Sequence, residues 1–327
     1  MKDSWERIEQ PSSLNAKQIN ELVKPAFPNK RVVYFERIGV GLSNSNYKIY
    51  LDGSTEPLVL RLYRGDKGVA DKEIDIARLV DGRVPIANFI FADTSCSLID
   101  KPWSILEWKE GVLLWDVIKT GSLQDITSAA AAAGKVLANI HAFTFTDSGF
   151  FGENLKVRDH LNMNGERFLS YIDECLHANC GLWLGEEYTR KVWSFCQTCS
   201  SLLNENVEPP VLLHSDYNGL NILVQQKAKG FSVSAVLDWE DAFSWSRYAD
   251  IGGMLRYEEA GSAYETHFIQ AYKEAGAALN DNWKILSKLE DLVALCDMLN
   301  NSTPNTPKRM NDLKTLIVRT VLTSTIV

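Results

Sequence analysis

The chain has 327 residues, 45% hydrophobic and 23% charged, which is ordinary for a folded globular protein of two domains or lobes. Its formal net charge of -8 argues against a nucleic-acid partner, which would need a basic face, and mildly favours a cationic one. No apolar run is long enough to span a membrane, and the N-terminus lacks the apolar core of a signal peptide, so a cytoplasmic location is expected.

The six cysteines are compatible with a reducing compartment. Cys196 and Cys199 form a C-x-x-C pair, but the surrounding sequence is typical of a helix and no second pair follows at zinc-ribbon spacing. We therefore expect the cysteines to be small buried residues.

The N-terminal part is predicted to be mainly β-structure. A short helix over residues 15–23 is followed by strand-forming segments whose positions are 31–38, 57–63, 87–92 and 97–108. The segment 71–82 has helical periodicity and ends in glycine, so it predicts a helix between the second and third of these segments.

The turn after the first strand is rich in Gly, Ser and Asn. Gly39 and Gly41 would let the main chain approach a phosphate closely, and Ser43, Asn44 and Asn46 would add hydrogen-bond donors. The full G-x-G-x-x-G pattern is absent, so an ordinary hairpin turn is the alternative.

From residue 123 onward the composition becomes helical. The alanine-rich segment 123–143 predicts a long helix with Asp125 or Thr127 as its N-cap. Further helices are expected over 172–180 and 188–203, and two more near the C-terminus.

Residues 211–241 predict a β-hairpin with polar groups at both ends of its apolar strands. His214, Asp216 and Asn221 show the spacing H-x-D-x-x-x-x-N, and Asp238 ends the second strand. Phosphoryl transfer from a nucleotide needs one carboxylate to accept the proton of the hydroxyl, and an amide oxygen and a second carboxylate to hold Mg²⁺. We therefore expect Asp216 to be the base, Asn221 and Asp238 to be metal ligands, and His214 to support the loop. A polar loop that only caps turns is the alternative.

The segments HSDYNGLN and VLDWEDA resemble the catalytic loop and metal-binding turn of the aminoglycoside phosphotransferase and choline kinase-like family. This family is the small-molecule branch of the protein-kinase-like fold. The resemblance implies an α+β, bilobal fold, with a small β-rich N-lobe over residues 1–108 and a larger helical C-lobe over 109–327. It also implies ATP as the phosphoryl donor, with GTP as the alternative, and Mg²⁺ as the metal.

The resemblance further implies roles for residues of the N-lobe. Arg61 matches the strand lysine that contacts the α- and β-phosphates in protein kinases, and Glu73 would be its partner. A half-exposed strand arginine is the alternative for Arg61, and a carboxylate favoured by the helix dipole is the alternative for Glu73. Glu107 and Trp108 fall at the hinge, whose backbone groups hydrogen-bond the adenine edge. Asp250 matches an aspartate that braces the catalytic loop.

The acceptor is expected to be a small molecule, because the interval from Asp238 to Asp250 leaves no room for the activation segment of a protein kinase. Glu240 and Asp241 would pair with ammonium groups, and Trp245 would cover a sugar face. Solvated surface charges and a core ring are the alternatives. We expect a cationic acceptor such as an aminoglycoside-type antibiotic and a chain that is a monomer or homodimer. Choline, homoserine and a thio-sugar are alternative acceptors, and a nucleotide-binding pseudoenzyme is the alternative function.

Overall fold

The computed structural model describes residues 2–6, 13–39, 44–162, 164–205 and 208–323. Its N-terminal part is built mainly of strands and its C-terminal part mainly of helices, so the predicted α+β fold is confirmed. The lobe boundary at residue 108 stays a prediction. Among the described helices, none is long and apolar enough to cross a membrane.

An antiparallel sheet with the strand order β1-β2-β3-β5-β4 forms the N-terminal part. Its strands are β1 (Val32–Ile38), β2 (Ser45–Leu51), β3 (Leu58–Leu62), β4 (Phe89–Asp93) and β5 (Trp103–Glu107). One face packs on the helix α1 (Ala16–Val23). The other face carries Asn46 opposite Arg61 and lines a cleft. Because side chains alternate along a strand, a register shift of one residue would move Arg61 into the core.

The second helix, α2 (Lys67–Val80), connects β3 to β4. It begins earlier than predicted because the Asp66 side chain accepts hydrogen bonds from the backbone N–H groups of Gly68 and Val69. Glu73 therefore lies in the second turn, where it is buried with 3% of its surface exposed.

The C-terminal part contains two further sheets, with the strand orders β11-β10-β6 and β8-β7-β12-β9. Its strands are β6 (Val112–Leu113), β7 (Gly149–Phe151), β8 (Val157–His160), β9 (Val211–Leu213), β10 (Ile222–Lys227), β11 (Gly230–Val236) and β12 (Phe243–Trp245). Its helices are α3 (Leu114–Thr120), α4 (Leu123–His141), α5 (Gly165–His177), α6 (Asn179–Leu184), α7 (Glu186–Cys199), α8 (Leu202–Glu205), α9 (Tyr248–Leu255), α10 (Ala263–Glu274), α11 (Trp283–Asn300) and α12 (Pro307–Thr323).

The long helix α4 starts at a different cap from the two that were predicted. Ser122 is the N-cap, and its side chain accepts a hydrogen bond from the backbone N–H of Asp125 while the Asp125 carboxylate accepts one from the backbone N–H of Ser122. Asp125 is thus the third residue of a capping box, and the prediction of Asp125 or Thr127 as the cap was wrong.

Helix α4 packs closely against α10 because its buried face is built of small residues. A side chain at Gly134 would place its Cβ 2.1 Å from the Phe268 carbonyl oxygen, so only glycine fits at this crossing. The carbonyl oxygen of the neighbouring Ala133 accepts the Tyr217 hydroxyl at 2.8 Å. The small-residue face of α4 therefore supports the loop between β9 and β10.

A second core lies among α5, α6, α7, α11 and α12. Five of the six cysteines are buried, as expected for small core residues, and all six are free thiols. This core also holds α11, and α11 carries Glu290 on its buried side.

Glu290 is a buried carboxyl that accepts the indole N–H of Trp245 at 2.9 Å. Burial raises its pKa to about 7, although the hydrogen bond from Trp245 acts in the opposite direction. Between pH 4.5 and 7 the folded state keeps a proton that the unfolded state has lost, so Glu290 lowers the free energy of unfolding as pH rises through this window.

We predict that Glu290→Gln removes this fall in the free energy of unfolding with rising pH, because the amide oxygen still accepts the Trp245 N–H and carries no charge. At pH 8 the variant should exceed the wild type in free energy of unfolding by about 3 kcal/mol, and at pH 4 the two should be nearly equal. Denaturant unfolding at several pH values measures the difference. Glu274→Gln, at an exposed position of α10, is the control and should leave the pH dependence unchanged. Parallel pH profiles for Glu290→Gln and the wild type would contradict the prediction.

Candidate active site

The loop between β9 and β10 holds the side chain of Asp216 from two sides. Asn218 Nδ2 donates to Asp216 Oδ1 at 2.9 Å, and Asn221 Nδ2 donates to Asp216 Oδ2, also at 2.9 Å. Both amides also donate to the Asp216 carbonyl oxygen at 3.0 Å. The two amides therefore fix the orientation of the carboxylate.

His214 connects this loop to the turn that carries Asp238. Its Nδ1 accepts the backbone N–H of Asp216 at 3.2 Å, so Nε2 carries the proton and donates to the Leu237 carbonyl oxygen at 2.9 Å. Because the ring is completely buried, neither bond competes with water. One side chain thus couples the predicted base to the residue that precedes the predicted metal ligand.

Asp250, in the first turn of α9, holds the same loop by hydrogen bonds to its backbone. Its carboxylate accepts the backbone N–H groups of His214 and Ser215, both at 2.8 Å. His141 Nε2 donates to it at 3.2 Å, and burial lowers the pKa of His141, which keeps this imidazole neutral. Ser215 has a φ of 71°, which is unfavourable for a residue with a side chain, so these bonds offset local backbone strain.

Arg61 and Glu73 form the buried ion pair that was proposed between β3 and α2. Arg61 Nη1 lies 2.9 and 3.0 Å from the two carboxylate oxygens of Glu73. Arg61 Nη2 pairs with Asp238 Oδ1, and Glu73 also accepts the backbone N–H of Trp239 at 3.0 Å. The sheet, α2 and the turn at Asp238 therefore meet at one guanidinium group.

The guanidinium of Arg61 is a permanent cation with donors to spare. Burial opposes its charge, but Glu73 and Asp238 outweigh burial and raise the pKa of Arg61. Its Nε is buried and has no hydrogen-bond partner among the described residues. A phosphate oxygen would satisfy this donor.

A cavity of about 370 Å³ lies between the N-terminal sheet and the β10–β11 hairpin. Small-molecule sites have volumes of about 300 to 1,000 Å³. Arg61 and Asp238 line the polar end of the cavity. The rest of its wall is apolar, which suits the planar ring of a nucleobase, and includes Val59, Leu106, Leu113, Leu223 and Val236. A larger depression of about 840 Å³ lies on the outer side of α2 and contains none of the predicted site residues.

Most residues predicted to contact the nucleotide line this cleft. Gly39, Asn46, Glu107 and Trp108 lie on its walls together with Arg61 and Glu73. Gly39 has a φ of 77°, so the backbone conformation there favours glycine. Gly41 and Ser43 lie outside the described residues.

Asn44 contacts the opposite side of the cleft. Its Nδ2 donates to Glu240 Oε2 at 2.8 Å and to Asp238 Oδ1 at 3.4 Å, and its Oδ1 accepts the backbone N–H of Arg64 at 3.0 Å. Asn44 is thus a link between the turn after β1 and the turn after β11. Glu240 is held by this contact.

The predicted acceptor residues divide into two groups. Asp241 is an exposed residue of the turn after β11. Desolvation of its carboxyl group, followed by the charges of Asp216 and Asp238, raises its pKa. Trp245 does not join them. It is buried, and it lines a separate cavity with Arg247 and Glu290, so the structure places its ring apart from the cleft.

Sequence reasoning missed two residues that contact Asp216. Asn218 follows it by two positions, and the D-x-N pattern contained that information. Lys2 forms an ion pair with Asp216 Oδ1 from the other end of the chain, and no local pattern could have indicated it.

The oxygen atoms at Asn221 and Asp238 are suited to a magnesium ion, which prefers oxygen ligands. Asn221 uses its Nδ2 group on Asp216, which leaves its side-chain oxygen as an acceptor. Among the described residues, the contacts of the Asp238 carboxylate involve Oδ1, so Oδ2 is open to a cation.

A comparison with protein families supports the class of protein that this geometry suggests. The model of the phosphotransferase enzyme family (APH) matches residues 35–285, which is more than half of the chain. The protein is a phosphotransferase that acts on a hydroxyl group. The chain belongs to the phosphotransferase enzyme family, as the sequence motifs implied. None of the curated proteins compared with it matches.

Solved structures that are similar to this chain include aminoglycoside phosphotransferases. APH(4)-Ia has a TM-score of 0.68 and 14% identity, with 95% of this chain and 100% of that chain covered. The GDP complex of wild-type aminoglycoside 2'-phosphotransferase-IIIa has a TM-score of 0.72 and 15% identity, with 94% and 99% covered. At these identities the likeness shows the fold, which is the bilobal protein-kinase-like fold that was predicted.

We predict that His214→Ala slows phosphoryl transfer, because it cuts the link between Asp216 and the turn at Asp238. A displacement of about 1 Å at a reacting group costs on the order of 10²-fold in rate, so kcat should fall by about that factor. Steady-state kinetics with a phosphorylated-product assay measures this.

The control is Tyr217→Phe, which removes a buried hydrogen bond of the same loop to Ala133 but keeps the His214 link. Its loss of stability should be about 1 kcal/mol and its kcat should change much less. Equal losses of kcat in the two variants would refute a specific role for His214.

Proposed function

We propose that this small-molecule kinase transfers the γ-phosphoryl group of Mg-ATP to a hydroxyl of a small cationic acceptor. The observation that carries the proposal is the position of Asp216, whose carboxylate is held by two amides and coupled through His214 to the turn at Asp238. Arg61 contacts that turn at the polar end of the cavity.

Asp216 has the role of the base. Burial would raise its pKa, but the charge and hydrogen bond of Lys2, with a further contribution from the charge of Arg256, lower it below the ordinary value of aspartate. The carboxylate is therefore ionised at neutral pH, can orient the acceptor hydroxyl, and accepts its proton as the bond to phosphorus forms.

The triphosphate would be held by residues from both sides of the cleft. Arg61 offers its unpartnered Nε–H to a phosphate oxygen, and the backbone at Gly39 allows close approach. Asn221 and Asp238 would hold Mg²⁺, which neutralises charge on the phosphates when bound. Glu107 and Trp108 would lie beside the nucleobase of ATP at the other end of the cavity.

A cationic acceptor suits the charge of the site. Asp241 has a raised pKa because its carboxyl group is partly desolvated and because Asp216 and Asp238 repel its ionised form, and Glu240 lies in the same turn. An ammonium group near Asp241 would relieve this repulsion. Among proteins of the same fold, a ternary complex of APH(4)-Ia contains ADP and hygromycin B, and another complex is described as the GDP and kanamycin complex of APH(2")-IIia. We therefore favour an aminoglycoside-type acceptor with ATP as donor, and GTP as the alternative donor.

The test is nucleotide consumption by the purified chain with Mg²⁺ over a panel of acceptors. The panel contains aminoglycosides, choline, homoserine and methylthioribose, with ATP and GTP each supplied as donor. Consumption that one acceptor stimulates, with a phosphorylated product seen by mass spectrometry, would support the proposal. Nucleotide binding without transfer to any acceptor would instead favour a pseudoenzyme.

Two isosteric variants test the assigned roles. Asp216→Asn should bind Mg-ATP but lose about 10² to 10⁴-fold in kcat, the usual contribution of a general base. Asp238→Asn keeps a residue that tolerates positive φ and should lose Mg²⁺-dependent turnover with little change in the unfolding midpoint. If Asp216→Asn transferred the phosphoryl group at the wild-type rate, Asp216 would not be the base. If Asp238→Asn failed to fold, Asp238 would have a structural role.

A further inference from the structure

Residues 2–6, which we name the N-terminal strap, lie across the acceptor side of the site. The strap contains a short 3₁₀ helix over Lys2–Ser4. The Lys2 ammonium forms an ion pair with Asp216 Oδ1, and both side chains are largely enclosed, with 20% and 28% of their surfaces exposed. An ammonium group of the chain itself is thus bound to the carboxylate of the predicted base.

One end of the strap is anchored on α12. Trp5 is 8% exposed within the second core, and its indole N–H donates to Asp312 Oδ2 at 2.9 Å. The Glu6 carboxylate accepts the backbone N–H groups of Lys308 and Arg309 at 2.9 and 3.2 Å, which caps the start of α12. These contacts involve groups remote from the chemistry.

The other anchor is on α3. Asp3 Oδ2 accepts the indole N–H of Trp115 at 2.9 Å and lies 3.7 Å from Lys119 Nζ. The contacts of Asp3 with α3, and of Trp5 and Glu6 with α12, therefore fix the backbone beside Lys2 and hold its side chain within reach of Asp216. A surface lysine held only by its own ion pair would not have this constraint.

The strap and an acceptor would need the same space. A hydroxyl that gives its proton to Asp216 must come within about 2.6 to 3.2 Å of the carboxylate. With Lys2 in place, the cavity beside Asp216, Arg256 and Tyr257 is about 10 Å³. That is room for about one water molecule, which is far too small for a sugar or an amino alcohol.

We propose that the N-terminal strap is autoinhibitory: the Lys2 ammonium occupies the place of the acceptor at Asp216, and a cationic acceptor must displace it to bind. This inference rests on the proposed function, since it takes Asp216 as the base and the acceptor as a cation. The strap makes the site selective for molecules that can replace an ammonium group.

The kinetic test is Lys2→Met, which keeps the length of the side chain and removes its charge. If the strap leaves one site in ten open, its release lowers the apparent KM of the acceptor about tenfold. Because saturating acceptor displaces the strap in the wild type, kcat should change less than twofold. Deletion of residues 2–6 is a poorer test, since Glu6 also caps α12.

Lys17→Met is the matched control, because Lys17 lies on α1 with 85% of its side chain exposed and should leave the KM unchanged. An unchanged or raised KM in Lys2→Met would overturn the proposal. An unchanged KM would make the contact incidental, and a raised KM would make Lys2 part of the acceptor site.

A second measurement does not depend on turnover. Acetylation of lysine amines, followed by mass spectrometry, should label Lys2 several-fold more slowly than Lys17 in the wild type. Asp216→Asn and, separately, addition of the polycation spermine should both speed the labelling of Lys2. Equal labelling of Lys2 and Lys17, or no response to spermine, would overturn the proposal. If no acceptor is phosphorylated, the proposed function fails, while this labelling still decides whether cations displace the strap.

Discussion

The buried guanidinium of Arg61 is the constraint on which the site depends. A charge enclosed in protein must be paired, and Arg61 meets this requirement with Glu73 from α2 and Asp238 from the turn after β11. Three segments far apart in sequence therefore share one cation, and removal of it would leave two enclosed carboxylates facing each other. The same guanidinium also lines the cleft, and its Nε has no hydrogen-bond partner among the described residues.

The loop between β9 and β10 and the turn at Asp238 are held in conformations that their residues do not favour by themselves. Ser215 and Asp238 both have positive φ angles, which cost on the order of 1 to 3 kcal/mol each. Asp250 binds two successive N–H groups of the loop, and His214 spans from Asp216 to Leu237. The strain persists because several buried hydrogen bonds fix the backbone, and the same bonds set the orientation of the Asp216 carboxylate in the protein alone.

The charge balance explains why cations matter at this site. Asp216, Asp238, Glu240 and Asp241 belong to two neighbouring turns, and like charges at such distances repel. Arg61 offsets part of this charge, and Mg²⁺ bound at Asn221 and Asp238 would offset more. The remaining negative charge includes that of Asp216. In the protein alone Lys2 compensates it, and in the proposed reaction a cationic acceptor would do so.

The sequence by itself determined the features that depend on short spacing. The H-x-D-x-x-x-x-N segment places Asp216 and Asn221 in one loop, where the amide reaches the carboxylate at 2.9 Å, and strand alternation put Arg61 on the face toward the cleft. The resemblance supplied the fold and the family, both of which are confirmed, whereas the roles of the individual site residues stay predictions. Only the tertiary structure decided that Trp245 is buried beside Glu290 and apart from the cleft, that Ser122 caps α4, and that Lys2 reaches Asp216. The physical reason is that local patterns specify periodicity and turn chemistry, while a contact between residues 2 and 216 depends on how the whole chain packs.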